Sequence, residues 1–511
     1  MTKKSFVSSA IVLMIAGFIV KVLGFIYRIY LSNLIGAEGM GIFQLISPVY
    51  SLIILTLSSG ISIAVSKMVA EQAAKKNHAN LFRITYCALA VVVTAGLIVS
   101  TGILIFIDPI VNIILKDSRT YYSMILLLPC IPVIAAASAV KGYYYGMQDV
   151  VPTACSQVVE QVVKIGIVIA MSAYFLNIGL EYACTLATVG MALGEISNLA
   201  VLIIIFKIKK KKIPPYKYKK DFMRKRTILA NIIKISVPVS FNRFITSMMG
   251  AVELILIPRM LLIGGMNYQA SIAEYGKLTG MAMPLVFFPS LVTSSLATTL
   301  VPAISEALSL KNFKTVNYRI SKSIQFTFIL GFIFTSIFIG FSNEIGNLVY
   351  KNENIGDILY LLSFTCIFIY LQQTLLGILN GLGKQGVSLR NSTVGYIIRI
   401  LFVVYFIPVY GVKGYIAGII VSSACVCVLN TYTVTKMTGM VLDFRNWILK
   451  PGVVCTVIIF AHKYINSFFN IFNISGDGAV IANILGNTAV AFGLMFVVGA
   501  IDKEEILKLF K

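Results

Sequence analysis

Charge is scarce in this chain, and acid scarcer still. Asp, Glu, Lys and Arg together make up 12% of 511 residues, whereas a soluble domain carries about 25%. Only 20 residues are acidic, against 43 Lys and Arg. Histidine occurs twice, as His78 and His462, too few for a His-based metal centre. The eight cysteines, Cys87 to Cys455, all fall in apolar runs and form no CxxC pair, so they read as packing residues. No GxxxxGKS/T loop is present, which argues against an intrinsic nucleotide engine. The loops expected outside the membrane are short and carry no acidic metal-binding motif. That argues against a membrane-bound glycan polymerase or ligase, so the chain is not expected to be an enzyme.

What the chain has instead is apolar length. Hydrophobic residues reach 58% and the mean hydropathy is +0.89, so the fold class is an all-α polytopic membrane protein. A net charge of +23 would suggest nucleic acid in a soluble protein, but here its location matters more than its total, and no nucleic-acid partner is expected. Spans of about 20 apolar residues are predicted fourteen times: 9–34, 43–70, 81–107, 120–146, 153–176, 182–207, 229–262, 275–308, 321–343, 356–380, 388–408, 412–437, 449–470 and 479–500. The first has a signal-peptide look, with Lys3 and Lys4 ahead of it. Lys21 interrupts its apolar run and no small-x-small site follows, so a span is the better reading.

Loop charge sets the expected orientation. Alternate loops with both termini carry 28 Lys and Arg on one side and five on the other, which places both termini in the cytoplasm of a bacterial plasma membrane. The largest share lies in KIKKKKIPPYKYKKDFMRKR, Lys207 to Arg226. This linker reads as a topology anchor that also touches anionic lipid.

The linker separates two similar halves. Pro48 and Pro284 are 236 residues apart, as are Arg83 and Arg319; Glu71 and Glu306, and Lys164 and Arg399, are 235 apart. The glycines Gly142 and Gly146 recur as Gly377 and Gly381, and SKMVAE at 66–71 aligns with VPAISE at 301–306. With six spans per unit the copies share one orientation, as in transporters built from parallel repeats. The domains are then a bundle at 1–207, a basic cytoplasmic linker at 208–228, a second bundle at 229–437, and two extra spans with a short tail at 438–511.

Ten bases fall within or at the edges of spans, against three acids. They are Lys21, Arg28, Lys67, Lys141, Lys164, Lys234, Arg243, Arg259, Arg399 and Lys463; the acids are Glu160, Glu195 and Glu253. Each unsolvated charge at mid-bilayer costs about 2.5–3.5 kcal/mol on insertion scales, so such an excess implies a wetted, positive cavity and an anionic substrate. Lys21 and Arg28, seven residues apart, share a helix face. SQVVEQVVK places Gln157, Glu160, Gln161 and Lys164 within two turns, with Glu160 and Lys164 spaced for an intrahelical ion pair. Arg399, in GYIIRILF, matches Lys164 in depth without a carboxylate four residues before it, which fits a cavity on the repeat axis. Arg243, Glu253 and Arg259 follow Pro238 on a span whose helix the proline weakens. Glu195, in GMALGEISN, is a candidate for ion coupling. Lys67, Lys141, Lys234 and Lys463 sit near span ends and suit snorkelling. Tyr143, Tyr144 and Tyr145 look like an interfacial aromatic belt. The substrate-binding candidates are therefore Lys21, Arg28, Gln157, Glu160, Lys164, Arg243, Glu253, Arg259 and Arg399.

Several runs carry a family resemblance: KVLGFIYRIYLSNLIGAEGMGIFQLISPVY at 21–50, KGYYYGMQDVVPTACSQVVEQVVK at 141–164, EYGKLTGMAMP at 274–284 and LVPAISE at 300–306. They resemble the stage V sporulation protein B family, part of the multidrug/oligosaccharidyl-lipid/polysaccharide exporter superfamily and related to lipid II flippases. The resemblance implies two six-helix lobes and alternating access. It also implies transfer to the outer leaflet of an undecaprenyl-pyrophosphate-linked peptidoglycan or polysaccharide precursor, for spore cortex or cell wall. It would make the last two spans a groove for the lipid tail, with wall-synthesis enzymes as candidate partners and surrounding lipid as a constant one. No cofactor is expected; the membrane potential or an ion gradient would supply the energy. The rival is a cation-coupled multidrug antiporter of the same superfamily, whose cavity would be dominated by Glu160, Glu195 and Glu253.

Overall fold

The computed structural model describes residues 3–75, 77–211, 222–351, 353–470 and 477–500, with the side chains of 3–13, 78, 176 and 463–470 outside the description. Most of the linker and the side chains of His78 and Lys463 thus lie outside the described residues. Among those described there are helices and no strands.

Two compact units divide within one helix, Met1–Ile255 and Leu256–Lys511. The first contains α1 (Lys3–Ala74), α2 (His78–Ile105), α3 (Ile107–Pro109), α4 (Tyr121–Leu127), α5 (Cys130–Gly146), α6 (Val151–Ile178), α7 (Leu180–Lys211) and the start of α8 (Lys225–Ile263). The second contains the end of α8 and then α9 (Tyr268–Tyr275), α10 (Met283–Phe287), α11 (Ser290–Ser309), α12 (Phe313–Gly340), α13 (Ser342–Val349), α14 (Gly356–Ser363), α15 (Cys366–Gly381), α16 (Gln385–Tyr410), α17 (Val412–Thr438), α18 (Lys450–Asn470) and α19 (Asp477–Val497). The start of α8 belongs to the first unit because Ile228 and Ile232, both fully buried, join the core of α1, α2, α5 and α7.

Ten helices among the described residues are long and apolar enough to cross a membrane, or twelve if each bent pair counts as one span, rather than the fourteen expected. Two causes of the shortfall are visible. Helix α1 counts once although its apolar part, Met14–Ala74, has 61 residues, about 90 Å at 1.5 Å per residue and three times a hydrocarbon core of about 30 Å. It breaks at Gly36, whose φ of 66° and ψ of −174° only glycine adopts readily, between the predicted spans 9–34 and 43–70. Helix α18 has described side chains only as far as His462.

The internal repeat is structural as well as textual. Each unit has one broken span, Ser118–Leu127 with Cys130–Gly146 bent by 41° and Gly356–Ser363 with Cys366–Gly381 bent by 52°. The glycine contacts also repeat. A Cβ at Gly142 or Gly146 would meet the carbonyl oxygens of Ser62 and Ser66 at 2.8 and 2.6 Å, and one at Gly377 or Gly381 those of Ala297 and Val301 at 2.6 and 3.2 Å. Each partner is displaced by the same 235 residues as its glycine. Small residues here let whole backbones touch, the packing mode left to helices in lipid.

That close approach corrects one expectation. Tyr143 and Tyr144 are 3% and 0% exposed, and Tyr144 donates its hydroxyl to the Leu202 carbonyl at 3.2 Å, so they are core rather than an interfacial belt. Only Tyr145 is exposed. The ends of the basic linker dock on this cluster: Lys209 pairs with Asp149 and lies over the Tyr144 ring, Lys210 lies 4.9 Å from the Tyr86 ring centroid, and Asn80 Oδ1 accepts the Met223 amide at 3.1 Å. At the other end of the unit Arg119 bridges Glu38, just past the Gly36 break, at 2.5 Å and the buried Asp117 at 2.9 Å. The kinked course of α1 is thereby held by charge as well as by packing.

Gly146→Ala should therefore force backbone apart and lower stability by about 1–3 kcal/mol, as overpacking generally does. Gly102→Ala, where an added Cβ meets nothing within 4 Å, should leave stability unchanged or raise it slightly. Thermal melts of the two purified variants in one detergent check the contrast.

Candidate functional site

The first unit encloses a cavity of about 220 Å³ between α1, α6 and α7. Its cations are Arg28 and Lys164, its hydrogen-bonding groups include Tyr27, Gln44, Ser47, Tyr50 and Thr188, and Met40, Ile46 and Leu127 supply apolar wall. The volume equals that of roughly seven waters at about 30 Å³ each.

Sequence places Lys164 there by helix periodicity, and glycine fixes how close its neighbours come. A Cβ at Gly190 would lie 3.2 Å from the Lys164 carbonyl and one at Gly194 3.1 Å from that of Glu160, so α7 rests directly on α6 at these two residues. The lysine stem is thus packed against α7, and its ammonium reaches α1, where it sits 4.9 Å from the centroid of the Tyr27 ring. Arg28, the next residue on α1, is close enough for its charge to act on Lys164.

The intrahelical ion pair expected between Glu160 and Lys164 does not form. Glu160 Oε2 instead accepts a hydrogen bond from Asn198 Nδ2 at 2.6 Å, and Asn198 is 0% exposed. A fixed amide donor on α7 holds the carboxylate while the aromatic face on α1 holds the ammonium. Glu195 lies within electrostatic reach of Glu160, Lys141 and Lys164, so acid is near the cavity although neither carboxylate lines it.

Two hydroxyls in the cavity wall, those of Tyr27 and Tyr50, are buried and meet no hydrogen-bond partner among the described residues, as is the case for Gln161 Oε1 nearby. A buried donor left unmade costs about 1–3 kcal/mol. Two such donors beside two cations make a wall suited to an anion that accepts hydrogen bonds.

Of the nine predicted binding residues, the cavity brings together Arg28 and Lys164, with Glu160 behind Lys164. Gln157 is half-buried one turn before Gln161 on α6, and Lys21 and Arg243 are exposed. Glu253 is 3% exposed on α8 in the first unit, while Arg259, half-buried, belongs to the second. Also in the second unit, Arg399 stacks on Tyr396 of its own helix, 4.6 Å from the ring centroid. Sequence reasoning missed Tyr27, Tyr50, Gln44 and Asn198. Only Tyr27 carried a signal, its place beside Arg28 in a span.

Comparison with known proteins places this architecture. A family model described as polysaccharide biosynthesis protein matches residues 6–308, and one described as lipid II flippase MurJ matches residues 266–476. Stage V sporulation protein B of Bacillus subtilis is 30% identical over all of this chain and 98% of its own length. Lipid II flippase MurJ of the same organism is 25% identical over 79% of this chain and 77% of its own. Among solved structures, a lipid II flippase MurJ in an inward closed conformation superposes with a TM-score of 0.73 at 15% identity, covering 95% of this chain and 98% of that one. An inward-facing multidrug resistance MATE family transporter gives 0.63 at 15% identity, over 82% and 94%. At such identity these structures speak for the fold alone, whereas the full-length sequence match speaks for descent: the chain belongs to the stage V sporulation protein B family of polysaccharide biosynthesis proteins.

Proposed function

We propose that this protein is a flippase, not an enzyme, that moves a lipid-linked anionic glycan precursor between membrane leaflets by alternating access. The observation that carries the reading is the Arg28 and Lys164 cavity: its lysine rests on an aromatic ring instead of a carboxylate, and two unpartnered hydroxyls face the same space. A phosphate or pyrophosphate takes charge-assisted hydrogen bonds from such groups, while its prenyl tail stays in lipid. The names of the relatives add substrate class, since two of those compared are a lipid II flippase and a sporulation protein. An undecaprenyl-pyrophosphate-linked wall or spore-cortex precursor fits both.

The proposed setting is a bacterial plasma membrane with both termini cytoplasmic, following the 28 to five division of loop bases. Outward movement of each negative charge across an inside-negative potential then releases about 2.3 kcal/mol per 100 mV. Two charges release about twice that, enough to drive export without nucleotide hydrolysis. Glu195 is the candidate for any ion that resets the cycle, and synthases that polymerise the exported precursor are candidate partners.

One observation favours the antiporter alternative: Glu160 and Glu195 lie behind the cavity of the first unit, and the fold is shared with a MATE transporter. Dye efflux from cells separates the two. An antiporter loses export of cationic dyes in Glu160→Gln and Glu195→Gln variants; a flippase for anionic lipid shows no such export to lose.

In proteoliposomes carrying a fluorescent lipid-linked precursor, transfer should speed up when an inside-negative potential is imposed and slow when it is reversed. Lys164→Ala and Arg399→Ala should each lower the rate by about tenfold or more, the 1.4 kcal/mol or greater expected for losing a charged hydrogen-bond donor, with normal membrane insertion. Wild-type rates in both variants would remove these residues from the mechanism.

A further inference from the structure

A cation can be held inside a membrane protein in two unlike ways. A carboxylate fixes it and cancels its charge; an aromatic face fixes it and leaves the charge in place. The cavity lysine has both choices within reach. Glu160 stands four residues before it on the same helix, yet that carboxylate is occupied by Asn198 at 2.6 Å, and the Lys164 ammonium lies over Tyr27 at 4.9 Å. The tyrosine is 6% exposed, so its ring is a fixed part of the wall. The repeat supplies a second, separately built instance. Arg399, the counterpart of Lys164 at an offset of 235, also has a tyrosine ring beneath it, Tyr396 at 4.6 Å. That ring comes from its own helix, and the position equivalent to Glu160 is Gly395. One outcome reached from two different residues argues for a requirement at this depth.

We infer that Tyr27 and Tyr396 are positioning residues, each presenting the repeat-equivalent cation of its unit on an aromatic face, and that the Tyr27–Lys164–Arg28 wall is a subsite for the diphosphate group of a prenyl-diphosphate lipid. The inference deepens the flippase reading and rests on it. The cavity of about 220 Å³ has room for a diphosphate-sized head and not for a glycan with its peptide, which must lie elsewhere. The Tyr27 and Tyr50 hydroxyls are donors to the phosphate oxygens. The lysine is a positive charge whose location is set before the ligand arrives, so little ordering remains to oppose binding.

The test is binding of geranylgeranyl diphosphate to the full purified chain in detergent, with geranylgeraniol and inorganic pyrophosphate as separate arms, by titration calorimetry. The diphosphate lipid should bind, the alcohol should not, and pyrophosphate should bind more weakly through the head alone. Tyr27→Leu should weaken binding about tenfold and Tyr27→Phe, which keeps the ring, no more than about threefold, in the range of a desolvated cation–π contact. In a Lys164→Met background Tyr27→Leu should add nothing, because the tyrosine acts through the lysine. A Tyr27→Leu variant that binds like wild type, or one whose effect adds in full to that of Lys164→Met, overturns the positioning role and leaves the flippase reading standing. Failure of the wild-type chain to bind any diphosphate overturns both. Should Tyr27→Leu not fold, Tyr396→Leu with Arg399→Met gives the same cycle in the other unit: a tyrosine effect that vanishes without the arginine supports the positioning role, and one that adds in full overturns it.

Discussion

Everything in this structure answers to the difficulty of keeping a positive charge inside a membrane while leaving it usable. An ammonium at mid-bilayer is costly alone, and the usual remedy, a paired carboxylate, would silence it. The first unit keeps the acid and the base on one helix yet gives them separate partners, Asn198 for Glu160 and the Tyr27 ring for Lys164. The glycines Gly190 and Gly194 make this separation workable, because they bring α7 close enough to hold both the carboxylate's amide partner and the lysine stem.

The two units solve the same problem with unequal parts. Their scaffolds repeat down to single contacts: Gly142 on Ser62 and Gly377 on Ala297, Gly146 on Ser66 and Gly381 on Val301. Their polar interiors do not. Where the first unit has Glu160 and Glu195, the second has Gly395 and Asn430 at the same offset, and there Asn430 accepts a hydrogen bond from Asn391 at 2.9 Å. Backbone contacts are constrained by packing in both copies, whereas each buried polar group must be satisfied locally and can diverge with its neighbour. Any role for acid in resetting a transport cycle therefore falls to the first unit alone.

Sequence carried the class, the repeat and the presence of buried bases, because each depends on composition or on spacing along one helix. Apolar length announces spans, and an offset of 235 residues announces a duplication. It carried less about the site, because a cavity is made by residues from different helices. Lys164 and Arg28 were legible as charges out of place, yet nothing in SQVVEQVVK says that Glu160 will turn to Asn198, 38 residues on. Spacing alone favoured the ion pair, and tertiary contacts overrode it. The same limit explains the tyrosines: YYY at a span end looks like a belt until Gly142 and Gly146 are seen to draw two of the three into the core.

The most direct measurement is a cryo-electron-microscopy structure of the protein with a prenyl-diphosphate lipid bound. Phosphate density is expected in the cavity of the first unit, within hydrogen-bond distance of Lys164 Nζ and the Arg28 guanidinium, with the Lys164 ammonium still on the Tyr27 ring and Glu160 still on Asn198. Phosphate density elsewhere, with Lys164 turned back onto Glu160, would contradict a charge held ready on an aromatic face.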